Sequence, residues 1–338
     1  MTSAALPGGG PAPEPSRPRL RSVRDLSAVG DLPGAPRSQW VDLDGPVHYL
    51  DFGGPADGPL LLLVHGLGGS VLSWSAVAPT LARTARVVAV DLAGFGRTEG
   101  LGRSTSVHDN TRLLVRFVDE VCRQPVVLVG NSMGGLIALL LSAQRPDLLA
   151  GLVLIDPALP VGPTARPDPL VTLLFGMYAV PAVGRLVMER RRSLISAEQQ
   201  ARAVLRLCTV DPHRVDRAVL EQHLHLARER EAFADIDAEL VAAARSLVFV
   251  IARRRWLGRV MRGVTVPVLL LHGSRDRLVP LAAARATAAA NPTWRFEVAR
   301  DVGHVPQLEA PEWTLGHLLD WLGDEGAIAT LAALPPRG

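Results

Sequence analysis

The chain has 338 residues, of which 48% are hydrophobic, so it is long enough to bury a large core in one or two domains. Its formal net charge is only +3, and its basic residues are arginines scattered along the chain, which argues against nucleic-acid binding. The two cysteines, Cys122 and Cys208, lie in separate segments without metal-ligand spacing, so neither a disulfide nor a metal site is expected.

The first segment, residues 1–38, is rich in Pro, Gly and Ala and lacks the continuous apolar stretch of a secretory signal. We interpret it as a disordered extension, and residues 326–338 as a flexible tail. The chain contains no uninterrupted apolar stretch of about 20 residues, so no membrane-spanning helix is predicted. The expected location is therefore the cytoplasm.

Short apolar strands alternate with helical patterns between residues 39 and 159. Val41–Phe52 has the alternation of an edge hairpin strand that a turn at 53–59 closes, and the apolar runs after it are typical of strands buried on both faces. The predicted strands that follow are 60–64, 86–90, 126–129 and 152–155, and the helical patterns between them are 74–82, 108–122 and 136–143. This alternation predicts an α/β protein with a mostly parallel sheet that helices cover on both faces.

The alternation stops near Leu159, and residues 160–262 contain helical patterns only. A capping box at Ser196 predicts one helix start, Asp211-Pro212 predicts a second, and a third helical stretch covers 235–257. The sheet pattern resumes in residues 263–325, with strands at 266–271 and 296–299 and a helix at 314–322. Because ligands bind at the carboxyl ends of parallel strands, an insertion after a strand is placed to cover the site.

The segment Val126–Gly135 runs from an apolar strand through Gly-Asn-Ser-Met-Gly into a helical pattern. Small residues at Gly130 and Gly134 allow a tight strand–turn–helix connection that exposes the Ser132 hydroxyl. The backbone N–H of Met133 then lies where a developing oxyanion needs a donor. Ser132 is therefore the candidate nucleophile.

A serine nucleophile needs a base and an acid that orients it, in the chain order Ser, Asp or Glu, His. His304 follows the last predicted strand in a glycine-containing loop and is the candidate base. Asp276, in the loop after strand 266–271, is the favoured acid, and Asp156 is the main alternative because it also ends a strand after the serine. The other histidines are interpreted as packing or surface residues.

The loop His65-Gly66-Leu67-Gly68-Gly69 follows the first buried strand and can bring a second backbone N–H to the oxyanion. We choose the N–H of Leu67 for this role and interpret His65 as a residue that fixes the loop. The chain contains neither glycine-rich nucleotide-binding motif in its required context, so no nucleotide cofactor is expected.

Together, the elbow Gly130–Gly135, His65-Gly66, the loops 91–97 and 273–280, and Gly303-His304 resemble the α/β-hydrolase superfamily. The resemblance covers about residues 40–325 and implies an eight-stranded, mostly parallel sheet, a Ser-His-Asp triad, and a variable cap formed by residues 160–262. The 91–98 stretch also resembles epoxide hydrolases and haloalkane dehalogenases, but those enzymes have Asp where this chain has Ser132.

The predicted function is hydrolysis of carboxylic esters by acyl transfer to Ser132 and then to water, without a metal or organic cofactor. The expected substrate is a small ester with an apolar acyl group. Two alternatives stay open: a C–C bond hydrolase of the meta-cleavage type, whose elbow Gly130–Gly135 resembles, and a binding or sensing protein with slow turnover. The residue after the base, Val305, departs from the aromatic residue or Cys common in the C–C hydrolases.

The predicted cap is both apolar and basic. Apolar stretches at 170–188 and 247–251 are each followed by three arginines, at 190–192 and at 253–255. One interpretation is that these helices pack on the main domain with their arginines in solvent. The other is an apolar acyl tunnel whose entrance contacts an anionic membrane surface. The oligomeric state is left open.

Overall fold

The computed structural model describes residues 30–162 and 168–324, which contain one eight-stranded sheet. The strands are β1 Ser38–Asp42, β2 Pro46–Gly53, β3 Leu60–Val64, β4 Arg86–Val90, β5 Val126–Asn131, β6 Leu149–Ile155, β7 Val268–Gly273 and β8 Arg295–Ala299. Their order is β1-β2-β4-β3-β5-β6-β7-β8, and only β1 with β2 and β2 with β4 are antiparallel. The predicted mostly parallel eight-stranded sheet is therefore confirmed.

The α-helices of the described residues lie between the strands, in the insertion after β6 and after β8. They are α1 Ala78–Leu81, α2 Val107–Phe117, α3 Met133–Gln144, α4 Pro169–Ala179, α5 Pro181–Leu194, α6 Ala197–Cys208, α7 Arg217–Arg230, α8 Ile236–Ala252, α9 Arg254–Arg262, α10 Leu281–Ala290, α11 Pro306–Glu309 and α12 Pro311–Gly323. Helices α4 to α9 occupy the predicted cap, and the described part of that insertion contains no strand.

The central strands are buried on both faces because helices cover both sides of the sheet. Along β3, Leu62 and Val64 belong to one apolar core, and Leu61 and Leu63 belong to the other. Helices α2, α3 and α10 contribute to the first core, and α1 and α12 contribute to the second. The continuous apolar runs of the sequence have this physical origin, because successive side chains of a strand point to opposite faces.

Two predictions at the N-terminal side need correction. The predicted edge hairpin strand Val41–Phe52 is itself interrupted by the hairpin turn between β1 and β2, because Asp44 and Gly45 adopt positive φ values of 58° and 122° and turn the chain. The boundary of the extension at residue 38 is also wrong, since Leu32 is buried in the second core and Ser38 begins β1. The rest of that predicted extension, residues 1–29, lies outside the described residues, as does the predicted tail 326–338.

Within the cap, the predicted helix starts have mixed outcomes. The capping box is confirmed, because the Ser196 side chain accepts from the Gln199 N–H and the Gln199 side chain accepts from the Ser196 N–H. Asp211 caps only the 3₁₀ turn Pro212–Arg214, and α7 begins after Asp216. The stretch 235–257 is two helices, α8 and α9, that meet at Arg253.

Among residues 30–162 and 168–324, no single helix is long and apolar enough to cross a membrane. The adjoining helices Pro169–Ala179 and Ala182–Leu194, which bend by 114° at their junction, reach that length and composition only when they are counted together.

Candidate active site

Ser132 lies between β5 and α3 in a backbone conformation that residues with side chains rarely adopt. Its φ is 55° and its ψ is −115°. The Ser132 N–H donates to the Ile155 carbonyl (3.0 Å), and the Ser132 carbonyl accepts from the N–H groups of Leu136 (3.1 Å) and Ala158 (3.0 Å). The strained turn is thus held from both sides, at the carboxyl end of β5.

Glycines allow this turn to close against its neighbours. A Cβ at Gly130 would lie 2.5 Å from the Gly134 carbonyl, and a Cβ at Gly134 would lie 2.2 Å from the Val64 carbonyl oxygen. A Cβ at Gly66 would lie 3.0 Å from the Ser132 Cβ, so the loop after β3 lies directly against the serine. Close backbone packing therefore brings the Gly66–Gly69 loop and the elbow together.

His304 lies in the loop between β8 and α11, with its ring against Asp276. Its Nδ1 is 2.7 Å from Asp276 Oδ2, and its backbone N–H donates to the Cys208 carbonyl (2.6 Å). Its Nε2 is buried and has no hydrogen-bond partner among the described residues. Since an ionised Asp276 only accepts, Nδ1 carries the proton and Nε2 keeps the lone pair that a general base needs.

Asp276 lies in the loop between β7 and α10, where the backbone also stabilises its charge. Its Oδ1 accepts from the N–H groups of Leu278 (2.7 Å) and Val279 (3.1 Å). Burial by itself raises the pKa of Asp276, but the charge and hydrogen bond of His304 outweigh it and the pKa is lowered. Asp276 is therefore an ionised acceptor that can stabilise an imidazolium.

Asn131 connects the elbow to the histidine loop. Its Nδ2 donates to the Ile155 carbonyl (3.0 Å) and to the His304 carbonyl (3.1 Å). The residue next to Ser132 therefore fixes the backbone of His304, which lies far from it in sequence. This role of Asn131 was not predicted from the sequence, because the second position of a G-x-S-x-G motif accepts many residue types.

His65 fixes the loop that carries Leu67. Its Nε2 accepts from the Leu92 N–H (3.1 Å), so the ring proton is on Nδ1, which donates to the Gly66 carbonyl (2.7 Å). Burial lowers the pKa of His65, which keeps the ring neutral. Leu67 is half-buried next to Gly66, and Met133 is fully buried at the first position of α3. The two predicted oxyanion donors thus belong to backbone segments that meet at Ser132.

A match to a known protein family agrees with this arrangement of elbow, loops and sheet. Residues 61–316 match the model of the alpha/beta hydrolase family. This chain belongs to the alpha/beta hydrolase family. The match covers most of the sheet, the elbow, the cap and the histidine loop.

Its relatives include enzymes that are named for different activities. The chain is 31% identical to the pimeloyl-[acyl-carrier protein] methyl ester esterase of Aromatoleum aromaticum over 261 residues, which are 75% of this chain and 94% of the esterase. It is 28% identical to the dihydrolipoyllysine-residue acetyltransferase component of the acetoin cleaving system of Cupriavidus necator over 284 residues, which are 83% of this chain and 68% of that protein. Esterase and lipase relatives together indicate a hydrolase.

Among solved structures, a putative lipase from Acinetobacter baumannii superposes with a TM-score of 0.68 at 21% identity, covering 93% of this chain and 98% of the lipase. At this identity the similarity shows the alpha/beta hydrolase fold.

The cap of this family member covers the Gly66–Gly69 loop region through apolar contacts with Leu67. Leu67 packs against a cluster formed by Tyr178 of α4, Met188 of α5, and Val241 and Ala244 of α8. Ser132 itself is only 9% exposed. Aliphatic and aromatic side chains of the cap therefore lie beside Leu67, whose backbone N–H is a predicted oxyanion donor.

Glu309 of α11 joins the cap to the histidine loop, a role that was not predicted from the sequence. Its Oε1 accepts from the N–H groups of Val210 (2.8 Å) and Asp211 (2.9 Å), and its Oε2 accepts from the Gly303 N–H (2.7 Å). The side chain is fully buried. A glutamate after a proline in a helical pattern is typical of an exposed first turn, so spacing alone did not single it out.

Arginine contacts hold the other side of the cap to the loop after β4. Arg97 is 2.8 Å from Glu229 of α7, and Arg230 of α7 donates to the carbonyls of Gly94 and Gly96. The 91–97 loop is ordered in turn by Asp91, which accepts from the Arg97 N–H (2.9 Å). The loop that the resemblance singled out therefore serves as an attachment point for the cap.

One group of described residues has the spacing to hold a metal ion: Asp156, Asp276 and His304 each offer one atom within 4.8 Å of the others. Two of these residues already form the 2.7 Å contact between Asp276 and His304. Since a hydrogen bond accounts for that contact, we interpret the group as a proton-sharing network around the acid.

Proposed function

We propose that this protein hydrolyses carboxylic esters with Ser132 as nucleophile, His304 as general base and Asp276 as the orienting acid. The observation that carries the proposal is the buried 2.7 Å contact between Asp276 and His304, whose Nε2 is left without a partner. It lies at the edge of the sheet where the strained Ser132 ends β5.

In the proposed mechanism, Nε2 of His304 takes the Ser132 proton as the hydroxyl attacks the ester carbonyl carbon. The N–H groups of Leu67 and Met133 stabilise the oxyanion, and the imidazolium stays paired with Asp276. His304 then protonates the leaving alkoxide. In the second half of the reaction, Nε2 of His304 takes a proton from water as the water attacks the acyl-enzyme, and it then returns a proton to the Ser132 oxygen as the acid product leaves. No metal or organic cofactor takes part.

The nucleophile is tested with p-nitrophenyl esters and a fluorophosphonate probe on wild type, Ser132→Ala and the control Ser142→Ala. Ser142 is a buried serine at the far end of α3, so it is a matched Ser→Ala change. We expect Ser132→Ala to lower kcat by about 10⁴-fold or more and to abolish labelling, and Ser142→Ala to stay within about threefold of wild type. Full activity of Ser132→Ala would refute the mechanism.

We further propose that the acyl group is apolar, because the cap surface next to Leu67 is apolar. Burying each added methylene contributes about 0.8 kcal/mol, so kcat/KM is expected to rise by up to about fourfold per methylene over short acyl chains. Leu240→Ala, a half-buried cap position packed in this cluster, is expected to flatten that rise. Leu194→Ala, which is 71% exposed, is the matched control and should keep the wild-type slope. Equal slopes in all three proteins would contradict the apolar acyl site.

The α4–α5 hairpin supports a proposed contact with a membrane surface. Helix α4 carries no charged residue, and most of the large hydrophobic side chains that the described structure leaves exposed lie on this hairpin: Leu170, Leu173, Val180, Val183, Leu186 and Leu194. The arginines of residues 190–192 end the same hairpin. An apolar face beside basic residues fits an anionic bilayer surface. We also propose that the protein is located in the cytoplasm, as was expected from the sequence.

The C–C hydrolase alternative predicts faster turnover of a meta-cleavage dienoate than of p-nitrophenyl esters. Such a substrate carries a carboxylate and would need a cationic contact, whereas the cap side chains packed on Leu67 are apolar. A slow-turnover binding protein would bind esters without detectable product. The ester panel, extended by one dienoate, therefore separates the three functions.

A further inference from the structure

Asp156 carries a buried carboxyl group next to the candidate triad. It takes no part in the proposed catalytic steps. It follows β6 with a φ of 43°, and its N–H donates to the Leu271 carbonyl (2.9 Å). Its Oδ1 accepts from the Gly273 N–H (2.9 Å), where β7 leads into the loop of Asp276. Its Oδ2 is buried and contacts no donor among the described residues.

The groups that face Asp156 provide no charge that would balance a second carboxylate. From β7, His272 places Nδ1 3.4 Å from Asp156 Oδ1, but burial lowers the pKa of His272 and keeps it neutral. Glu309 of α11 adds a further negative charge nearby, and burial raises the pKa of the Cys208 thiol of α6 to about 12. His304 is the remaining titratable neighbour, and it is already paired with Asp276.

Two buried carboxylates beside one histidine would leave an uncompensated charge, so one of them keeps a proton. Asp276 accepts two backbone N–H bonds and the His304 bond, whereas Asp156 accepts one backbone N–H bond. The charge is therefore better stabilised on Asp276. Consistent with this, burial first and then the charge of Asp276 raise the pKa of Asp156 well above its usual range.

We propose that Asp156 is a positioning residue: its protonated carboxyl donates a hydrogen bond from Oδ2 to the Asp276 carboxylate and holds Asp276 in one orientation toward His304. The proton gives the otherwise unpartnered Oδ2 an acceptor, since a carboxylate oxygen of Asp156 and one of Asp276 lie within 4.8 Å of each other. It also leaves Asp276 as the single negative charge paired with the imidazolium. The role in turnover rests on the proposed function, in which His304 is the base.

The first test asks whether Asp156 is neutral, by measuring the pKa of the His304 ring in wild type and Asp156→Asn. The ring signal is followed by NMR and assigned by its loss in His304→Gln, and the acid limb of kcat/KM gives the same pKa by activity. An amide keeps a donor and an acceptor, so we expect the pKa to change by no more than about 0.3 unit. If Asp156 were ionised, removing its charge would lower the pKa by on the order of one unit, which would overturn the proposal.

The second test removes the donor with Asp156→Ala. A carboxylate that loses a donor attracts the imidazolium more strongly, so the His304 pKa and the acid limb should move upward while kcat falls by about 10-fold to 100-fold. Asp156→Asn should recover most of that loss. A fall in kcat with an unmoved pKa would mean a merely structural role through Gly273, and the proposal would fail.

A double-mutant cycle then tests whether Asp156 acts through Asp276. If it does, Asp156→Ala should cost little more in the Asp276→Ala background, whereas independent effects would multiply. Asp301→Asn, which changes a half-exposed carboxylate three residues before His304, controls for any loss of negative charge near the loop. If wild type hydrolyses no ester, the proposed function fails, yet the NMR titration still decides the protonation of Asp156.

Discussion

At the residue scale, the candidate site depends on glycine positions where one added Cβ atom would prevent two backbone segments from packing together. Ser132 keeps a positive φ because Gly134 lets α3 approach β3 to a distance at which no Cβ fits. The strain is therefore maintained by packing around the serine and not by the serine itself. Two other positions in the site differ in protonation: within one buried network, the pKa of Asp276 is lowered and that of Asp156 is raised.

Gly134→Ala is expected to disrupt the elbow, because the new Cβ would lie 2.2 Å from the Val64 oxygen. The overpacking should destabilise the protein by about 1–3 kcal/mol and lower kcat by at least about 100-fold, since Ser132 is displaced from His304. Gly316→Ala, in helix α12 with no atom within 4 Å of the new Cβ, is the matched control and should stabilise by about 0.5–1 kcal/mol. Urea unfolding and ester turnover measure both effects; a stable, active Gly134→Ala would contradict this account.

The lowered pKa of Asp276 predicts how acid affects stability. A carboxyl group with a folded-state pKa below its unfolded value stabilises the protein above the unfolded pKa, about 3.9, and loses that contribution as pH falls through the folded pKa. The difference in unfolding free energy between wild type and Asp276→Asn should therefore become smaller below about pH 4. Urea unfolding at several pH values measures the difference, with the exposed Asp57→Asn as control. A difference that stays constant down to pH 2 would contradict the assignment.

At the scale of elements, the parallel sheet brings distant loops to one edge. Strands β3, β5, β7 and β8 end at the loops that carry Leu67, Ser132, Asp276 and His304. Helix α11 extends this arrangement, because Glu309 binds backbone groups of the cap and of the histidine loop at the same time. The position of the cap and the position of His304 are therefore mechanically connected.

Glu309→Gln is expected to weaken this connection, because the amide nitrogen that replaces one oxygen cannot accept from a backbone N–H. Leaving one buried donor unpaired costs about 1–3 kcal/mol of unfolding free energy, and kcat should fall because the backbone before His304 loosens. Glu312→Gln, an exposed glutamate three residues further on, should change neither. Chemical denaturation and turnover on a short ester test the pair. Identical behaviour of the two variants would show that Glu309 does not hold the loop.

At the scale of the whole molecule, the sheet and the cap present different surfaces. The sheet is covered on both faces by its own helices, whereas the α4–α5 hairpin of the cap leaves apolar side chains exposed, with Leu173 at 61% and Leu186 at 62%. A cap that contacts the acyl site on one side and a membrane on the other would bring apolar esters to Ser132 directly from the lipid surface.

The membrane proposal predicts sedimentation with anionic vesicles at low salt and little with neutral ones. Replacing Arg190, Arg191 and Arg192 by Ala should weaken binding by on the order of 100-fold, at about 1 kcal/mol per arginine near an anionic surface. Leu173→Ser should weaken binding at every salt concentration, because it removes apolar contact. The same triple replacement at residues 253–255, which lie outside this hairpin, is the control. Sedimentation that no hairpin variant alters would refute the contact.

Much of this molecule follows from local patterns in the sequence. The buried strands, the helical cap and the capping box at Ser196 were predicted from the repeat of apolar residues and from helix-start chemistry, and the structure contains each of them. The position of the turn in the N-terminal hairpin and the start of α7 were wrong, because a three-residue turn and a short 3₁₀ segment leave the local apolar pattern nearly unchanged.

The sequence by itself determined the mostly parallel sheet, the succession of strands and helices along the chain, and the candidates for nucleophile, base and acid, because periodicity and glycine positions are local properties. Tertiary structure alone decided which carboxyl group meets His304. Asp276 and Asp156 both follow strands, and only the packing of β6 beside β7 places one against the histidine ring and the other behind it. It also decided that Glu309 and Asn131 hold the site together, because their partners lie far away along the chain.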